Sequence, residues 1–403
     1  MRYDEAMQRI YLDHNATTPV HPLVLEAMLP YFGPEFGNPS SAHHFGRRAS
    51  QAVEKARASV AGLIGARPSE IVFTSGGTEA DNTAIFGVLG DALAARGAAS
   101  STPPPHLITT TIEHDAVLNS CRALEGRGIC VTYIPVDAGG VVSPDAIRVA
   151  IRRETALISV MHANNELGTL QPIEEIGRIA REAGILFHTD AVQAAAKVPV
   201  DVNSLGVDLL SLSGHKFNGP KGAGALFVRK GIAIAPFLHG GPNERGRRAG
   251  TENVAGIVGL GQACEIARRD LAESAARMGE LRDRLERGLL AAIPGARING
   301  DPARRVPNTM NALLPGVDSE SLVIALDLAG LACSAGAACS AGAVDPSHVL
   351  TAIGLTSGEA RASIRLSVGG TNSHEEIERA LELIPAAAGR QSELSRSREM
   401  ATR

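Results

Sequence analysis

No C-x-x-C pair occurs among the five cysteines of this 403-residue chain, Cys121, Cys130, Cys264, Cys333 and Cys339. That argues against a zinc ribbon, and the odd number argues against a disulfide framework and leaves at least one thiol free. The twelve histidines show no H-E-x-x-H spacing, so no metal site is expected. A basic excess is also missing: 39 Lys+Arg against 43 Asp+Glu give a formal net charge of -4. Sequence-independent attraction to nucleic acid is therefore not expected, and the partner should be a small molecule. The N-terminus "MRYDEAMQRIYLDH" carries Asp4 and Glu5 where a signal peptide needs an apolar core. No later run is long and apolar enough to span a bilayer, so a cytoplasmic protein with no membrane partner is expected. Internal repeats are absent as well.

What is present is ample apolar material, 44% of the residues, enough for a sizeable core in one large domain plus a smaller one. Short β-rich runs recur in "EIVFTS", "HLITTT", "CVTYIPV", "ALISVMH", "ILFHTD", "LLSLSG" and "GALFVR", with helix-compatible stretches between most of them. Seven strands alternating with helices predict an α/β fold, a mostly parallel sheet covered on both faces whose ligands gather at the carboxyl ends of the strands. With "NVAGIVGLGQACEIARRDLAESAARMGELRDRLERGLLAAI" the texture changes to one long helical stretch with charges on one face, followed by a mixed segment. We therefore expect a large domain over 15–255, a smaller α+β domain over 1–14 and 256–390, and a polar, frayed tail over 391–403.

The strand ends carry the chemistry. In "IVFTSGGTEADN" a strand runs through Ser75, Gly76, Gly77 and Thr78 into a helix, an anion site in outline, because glycines let the backbone approach a ligand and first-turn N–H groups favour phosphate oxygens. Alone, a glycine turn with a threonine cap is more often a simple connection. In "ILFHTDAVQ" the strand closes on Asp190, with Gln193 within one turn. A carboxylate there wants a cationic or N–H partner, although Asp is also a common helix N-cap. The next strand ends in Ser213-Gly214-His215-Lys216. A phosphate cradle, a carboxylate and a lysine on one sheet edge are the parts that pyridoxal phosphate requires: an amine for a Schiff base, an acid facing the pyridinium nitrogen and donors for the phosphate. Lys216 is the candidate amine, and Lys221, between Pro220 and Gly222, is expected to be a solvated loop lysine.

Beyond these residues, "YLDHNATTP", "FGNPSSAHHFG", "FTSGGTEADN", "HANNELG", "SGHKFNGPKG", "RRAGTEN" and "GAACSAG" resemble, in order and spacing, the successive motifs of the cysteine desulfurases that serve nitrogenase and general iron-sulfur cluster assembly. The likeness covers nearly the whole chain. It implies a fold-type I pyridoxal phosphate enzyme, a homodimer, that converts L-cysteine to L-alanine and passes the sulfur, as an enzyme persulfide, to an acceptor protein such as an iron-sulfur scaffold. By the same resemblance Lys216 would hold the cofactor, Asp190 would keep the pyridinium protonated, Gln193 would bond the ring hydroxyl and His114 would stack on the ring and move protons. Gly77, Thr78, Ser213 and His215 would bind the phosphate, joined by Thr251 from the other subunit. Asn165 and Arg365 would grip the substrate carboxylate, the arginine because its planar fork suits a bidentate salt bridge, although on sequence alone Arg365 fits a surface charge equally well.

The nucleophile would be Cys339, in a loop of small residues that lets a thiolate reach the substrate and later hand its sulfur outward. Two departures from the resembled loop stand out: alanine at Ala335 and Ala337 where serine is commoner, and Cys333 just upstream as a second thiol, for which a buried structural role is the simpler account. Cys121, Cys130 and Cys264 are expected in the core. Two alternatives stay open from sequence: a non-catalytic sulfur-binding scaffold on the same fold, which would be colourless, and a related lyase acting on selenocysteine, which alanine release from the two substrates would distinguish.

Overall fold

The computed structural model describes residues 9–96, 103–335 and 346–401, and the side chains of all of these except 91–96 and 394–401. Strands are β1 (Ile10–Tyr11), β2 (Ile71–Thr74), β3 (His106–Thr110), β4 (Cys130–Ile134), β5 (Thr155–Ser159), β6 (Leu186–Asp190), β7 (Leu209–Ser213), β8 (Gly224–Val228), β9 (Arg297–Asn299), β10 (Thr309–Leu313), β11 (Leu331–Ala332), β12 (Ser334–Ala335) and β13 (Ser363–Ser367). Helices are α1 (Pro22–Met28), α2 (His44–Leu63), α3 (Gly77–Arg96), α4 (Asp115–Glu125), α5 (Pro144–Ala150), α6 (Ile173–Ala183), α7 (Val254–Ala292), α8 (Ser319–Leu328), α9 (His348–Ala352), α10 (Ser357–Arg361) and α11 (His374–Ala401).

Each of the seven apolar runs forms a strand, and together they make one sheet in the order β2-β8-β7-β6-β5-β3-β4. β4, β3, β5, β6 and β7 are parallel, while β8 runs antiparallel to both β2 and β7. The runs read as continuously apolar because both faces are covered and side chains alternate between them. Leu107, Leu157 and Leu209 pack under α3 and α4, whereas their neighbours Ile108, Ile158 and Leu210 pack under α2, α6 and the start of α7. β4 is the exception. As an edge strand it leaves Cys130 half-buried, with Arg152 Nη1 3.2 Å from its Sγ, so this cysteine is not in the core as expected.

A second core forms around a four-stranded sheet, β12-β13-β10-β9, with β1 pairing in parallel to β11 beside it. The 39-residue α7 belongs to both cores. Its N-terminal turns bury Ile257, Leu260 and Cys264 against the large sheet, and Met278, Leu281, Leu285 and Leu289 line the second core one or two turns apart. Asn253 caps it by accepting from Gly256 N at 3.1 Å. Close crossing over α2 requires Gly261, where an added Cβ would lie 2.6 Å from the Ala56 backbone. The boundary expected at residue 256 thus falls in the first turn of a helix that contributes to both cores, and the backbone of α11 is helical through Ala401. No helix among the described residues is long and apolar enough to cross a membrane.

Candidate active site

Three strand ends converge at the carboxyl edge of the large sheet, where β2, β6 and β7 deliver the glycine turn, Asp190 and Lys216 respectively. After β2 the chain turns through Gly76, at φ +156°, into α3, and an added Cβ at Gly77 would meet Val192 Cγ2 at 2.7 Å. Only glycine lets the first turn of α3 come this close to the segment following Asp190. Thr78 is exposed at the helix start and Ser213 is buried beside the turn. Thr74 Oγ1 donates to Gly76 O at 3.0 Å, and Glu79 accepts from Ser75 N at 2.8 Å, which fixes the turn from both sides.

Asp190 is 6% exposed and its Oδ1 accepts from Val192 N at 2.9 Å. Burial raises its carboxyl above the usual carboxylate range, while His114 and Lys216 pull it back. A protonated pyridine nitrogen would supply the charged N–H donor that burial of this acid calls for, so the residues present fit the cofactor. Beneath it lie two more buried acids. Asp81 sits 3.6 Å from His188 Nε2 and is raised by burial and by Asp190, and Glu113 is pushed up to about 8 by burial, against hydrogen bonds from Thr110 Oγ1 (2.6 Å) and Met161 N (3.0 Å). Three carboxyls in one low-dielectric region cannot all ionise cheaply, and the two underneath hold their protons more firmly.

His114 caps α4, its Nδ1 accepting from Ala116 N at 3.1 Å, so the proton of the neutral ring sits on Nε2. Burial brings His215 down to about 4, with Lys216 and Lys221 adding to the effect, and its Nδ1 is 3.1 Å from Thr17 Oγ1. Lys216 Nζ donates to Asn15 O at 2.6 Å and Ala16 O at 2.9 Å. Gln193 Nε2 donates to the same Asn15 O at 3.0 Å. Lys221 is exposed.

Arg365 on β13 is 2% exposed, which rules out the surface-charge alternative. Its Nη2 meets Asp13 Oδ1 at 2.8 Å, its Nη1 donates to Asn165 O at 3.0 Å, and its Nε is buried without a partner. Asn165 and Arg365 are thus brought together. Thr251 is exposed on the single chain, in a segment tied back to α3 by Arg248–Glu79 at 2.8 Å.

Cys339 and Ala337 lie outside the described residues, but both described flanks of their segment are placed. On one side β12 pairs with β13, Ser334 opposite Arg365. On the other, Ser347 Oγ donates to Glu166 Oε2 at 2.6 Å and His348 Nε2 lies 3.0 Å from Glu113 O. Glu166 and Glu113 are the chain neighbours of Asn165 and His114, so both flanks end at the site. Cys333 is buried in the second core, and burial, with Asp13 adding to it, pushes its thiol up to about 12. Three residues that strand-end logic missed are Asp13, Asn15 and Lys197; the first two lie within the motif "YLDHNATTP", while Lys197 carries no local signal.

A glycine turn, a buried acid and a lysine on this edge of this sheet define a fold-type I, pyridoxal phosphate-dependent enzyme. The family model of class-V aminotransferases matches residues 10–380, and the chain belongs to that family. It is 51% identical over 376 residues to a protein named cysteine desulfurase IscS from Methanosarcina thermophila, covering 93% of this chain and 91% of that one. A protein of the same name from Dictyoglomus turgidum is 48% identical over 377 residues, 94% of each. Among solved structures a NifS-like protein superposes with a TM-score of 0.87 at 40% identity, covering 94% of this chain and 99% of that one. Another, described as SspA in complex with cysteine, gives 0.79 at 40% identity over 90% and 100%.

The buried acids make a pH prediction. Because the Glu113 carboxyl lies near 8 in the fold and near 4.5 in the unfolded chain, the protonated form is favoured by folding. Its contribution is fully present below about pH 4.5 and is lost as pH rises toward 8. Glu113→Gln keeps an acceptor for Thr110 and Met161 but cannot ionise. Its thermal midpoint should match the parent's at pH 4.5 and exceed it increasingly up to pH 8. Parallel curves for the two proteins across that range would show that Glu113 does not titrate there.

Proposed function

We infer that the chain is a cysteine desulfurase, which converts L-cysteine to L-alanine and leaves the sulfur on its own Cys339 as a persulfide for iron-sulfur cluster or other sulfur-cofactor synthesis. The observation that carries this is the convergence of Lys216, Asp190 and the Gly76–Thr78 turn on one sheet edge, in a chain half identical to named cysteine desulfurases.

Pyridoxal phosphate, when bound, supplies an electron sink for the substrate's α-carbon. Lys216 would hold it covalently, and its amine would take the substrate's α-proton. Asp190 would keep the ring nitrogen protonated, and Gln193 would donate to the ring hydroxyl. The first turn of α3, with Gly77, Thr78, Ser213 and His215, receives the phosphate; His215 does so as a neutral donor, since burial disfavours its cation. His114 exchanges a proton at Nε2, because its Nδ1 is committed to the α4 cap. Arg365, with an unpartnered Nε, and Asn165 bind the substrate carboxylate. The Cys339 thiolate would then attack the substrate sulfur: an S–S bond forms, the C–S bond breaks, and its electron pair stays on the β-carbon, which takes up a proton to become the methyl group of alanine. Cysteine plus enzyme thiol gives alanine plus enzyme persulfide, with no external oxidant.

The enzyme works as a homodimer in this proposal. The support is a set of exposed large apolar side chains within residues 23–45, Leu23, Leu25, Leu29, Phe32, Phe36 and Phe45, together with the exposed Thr251 that would complete a neighbour's phosphate site. Its acceptor would be an iron-sulfur scaffold protein. The four described cysteines are all free thiols, which fits a reducing, cytoplasmic setting.

The test is stoichiometry. Purified yellow enzyme given L-cysteine and a reductant should release alanine and sulfide one for one. A colourless protein that takes up no pyridoxal phosphate, or one that forms pyruvate and ammonia instead of alanine, would refute the assignment.

A further inference from the structure

Lys197 is an unassigned lysine only a short distance from Lys216, and it is almost fully buried, 5% exposed. Burying an ammonium is costly unless it is well bonded. Its Nζ donates to Gln193 Oε1 at 2.6 Å and to Asn15 Oδ1 at 3.1 Å. Burial, with the charges of Lys216 and Arg365, pulls its pKa well down. Asn15 is the junction. Its carbonyl accepts from Lys216 Nζ (2.6 Å) and Gln193 Nε2 (3.0 Å), its Oδ1 accepts from Lys197 and from Asn308 Nδ2 (3.0 Å), and its Nδ2 donates to Asn165 O (3.1 Å) and Thr309 Oγ1 (2.8 Å).

We propose that Lys197 is a positioning residue for the desulfurase reaction, one that locks the Gln193 amide so that only its N–H side faces the cofactor ring. The reason is geometric: Lys197 Nζ donates to Oε1 at 2.6 Å and Asn15 O accepts from Nε2 at 3.0 Å, so the Gln193 amide is held from both ends with its oxygen toward Nζ and its NH2 group the other way. One of those N–H groups is bonded to Asn15 O, and the second remains for the ring hydroxyl. Were Lys197 apolar, Oε1 would lose its donor and only the bond to Asn15 O would hold the amide against turning over and presenting its oxygen to the ring oxygen, a lone pair against a lone pair. Lys197 also holds the Asn15 side chain whose main chain receives Lys216, so one group bears on both Gln193 and a contact of the cofactor lysine.

This rests on the assignment of Lys216 and Gln193 to the cofactor, which fails separately if borohydride-reduced cofactor in the parent enzyme is not found on Lys216. The probe is the pH midpoint of the visible absorbance band of the cofactor-loaded enzyme, which reports the proton shared between the cofactor–Lys216 link and the ring oxygen. The charged or titratable groups around Lys197 are Lys216, Arg365 and His14, and His14 is held down to about 4 by burial and by Lys197 itself. Loss of a donor to the ring oxygen leaves that oxygen more basic and the shared proton harder to remove. Lys197→Met, of similar volume, should therefore raise the midpoint by about one pH unit. Gln193→Leu should raise it in the same direction, and Lys197→Met should add almost nothing in the Gln193→Leu background, because one acts through the other. An unmoved midpoint in Lys197→Met, or two shifts that add, would overturn the proposal in favour of plain packing. If Lys197→Met does not fold, Lys197→Arg carries the test: it keeps a donor toward Gln193, so a midpoint within a few tenths of a unit of the parent's supports the lock. A shift as large as that of Gln193→Leu refutes it.

Discussion

Lys216→Ala should lower alanine formation by at least about three orders of magnitude, even with pyridoxal phosphate in excess. In the role proposed for Lys216 two functions would be lost together, the covalent hold on the cofactor and the amine that takes the substrate's α-proton. No neighbour can take over. Lys197 Nζ is committed to Gln193 and Asn15, Lys221 is exposed on its turn, and His114 has its Nδ1 tied to the α4 cap. The stability cost should be small, because Lys216 is only half-buried and its described bonds end on the carbonyls of Asn15 and Ala16. A normal thermal midpoint beside near-zero turnover therefore separates chemistry from folding. Methylamine added to the variant should restore part of the rate by supplying the missing base. Turnover within tenfold of the parent would mean that Lys216 is neither anchor nor base.

How far the sequence led differs between the sheet and the site. All seven strands were legible because a sheet buried on both faces writes itself as short, continuous apolar runs, and α7 was legible because its apolar stripe persists over so many turns. β4 kept its pattern but not its burial, since nothing local says that a strand lies at an edge. The strand-end residues were legible for a topological reason: a parallel sheet has one carboxyl edge, and its strands deliver their ends together there. What the sequence hid was contact across the chain. Asn15 meets Thr309 and Asn308, Arg365 meets Asp13, and Glu166 meets Ser347, all pairs far apart in sequence. Lys197 carries no local signal, and only burial beside Gln193 sets it apart. Arg365 could pass for a surface charge until β13 placed it in the middle of the small sheet.

Cys339→Ser should abolish sulfur transfer, with alanine release falling to background, while Cys333→Ser keeps most of the activity. The two thiols stand in opposite situations. Cys333 is buried in the second core between β11 and β12, and with its thiol pushed up to about 12 only about one molecule in 10⁵ would carry a thiolate at neutral pH. A nucleophile that must also hand sulfur to another protein cannot work from there. Serine in its place changes little volume but buries a hydroxyl, so the expected cost is about 1 kcal/mol of stability. Cys339 lies in the segment whose two flanks end at the site, Ser334 opposite Arg365 on one side and Ser347 on Glu166 on the other. Steps before sulfur transfer need Lys216 and the cofactor but no thiol, so Cys339→Ser should still bind cysteine and change the cofactor's absorbance on doing so. Mass spectrometry after a single turnover of the parent should find one extra sulfur atom, a persulfide, on the peptide containing Cys339. Finding it on Cys333, or alanine released by Cys339→Ser at the parent rate, would move the nucleophile elsewhere.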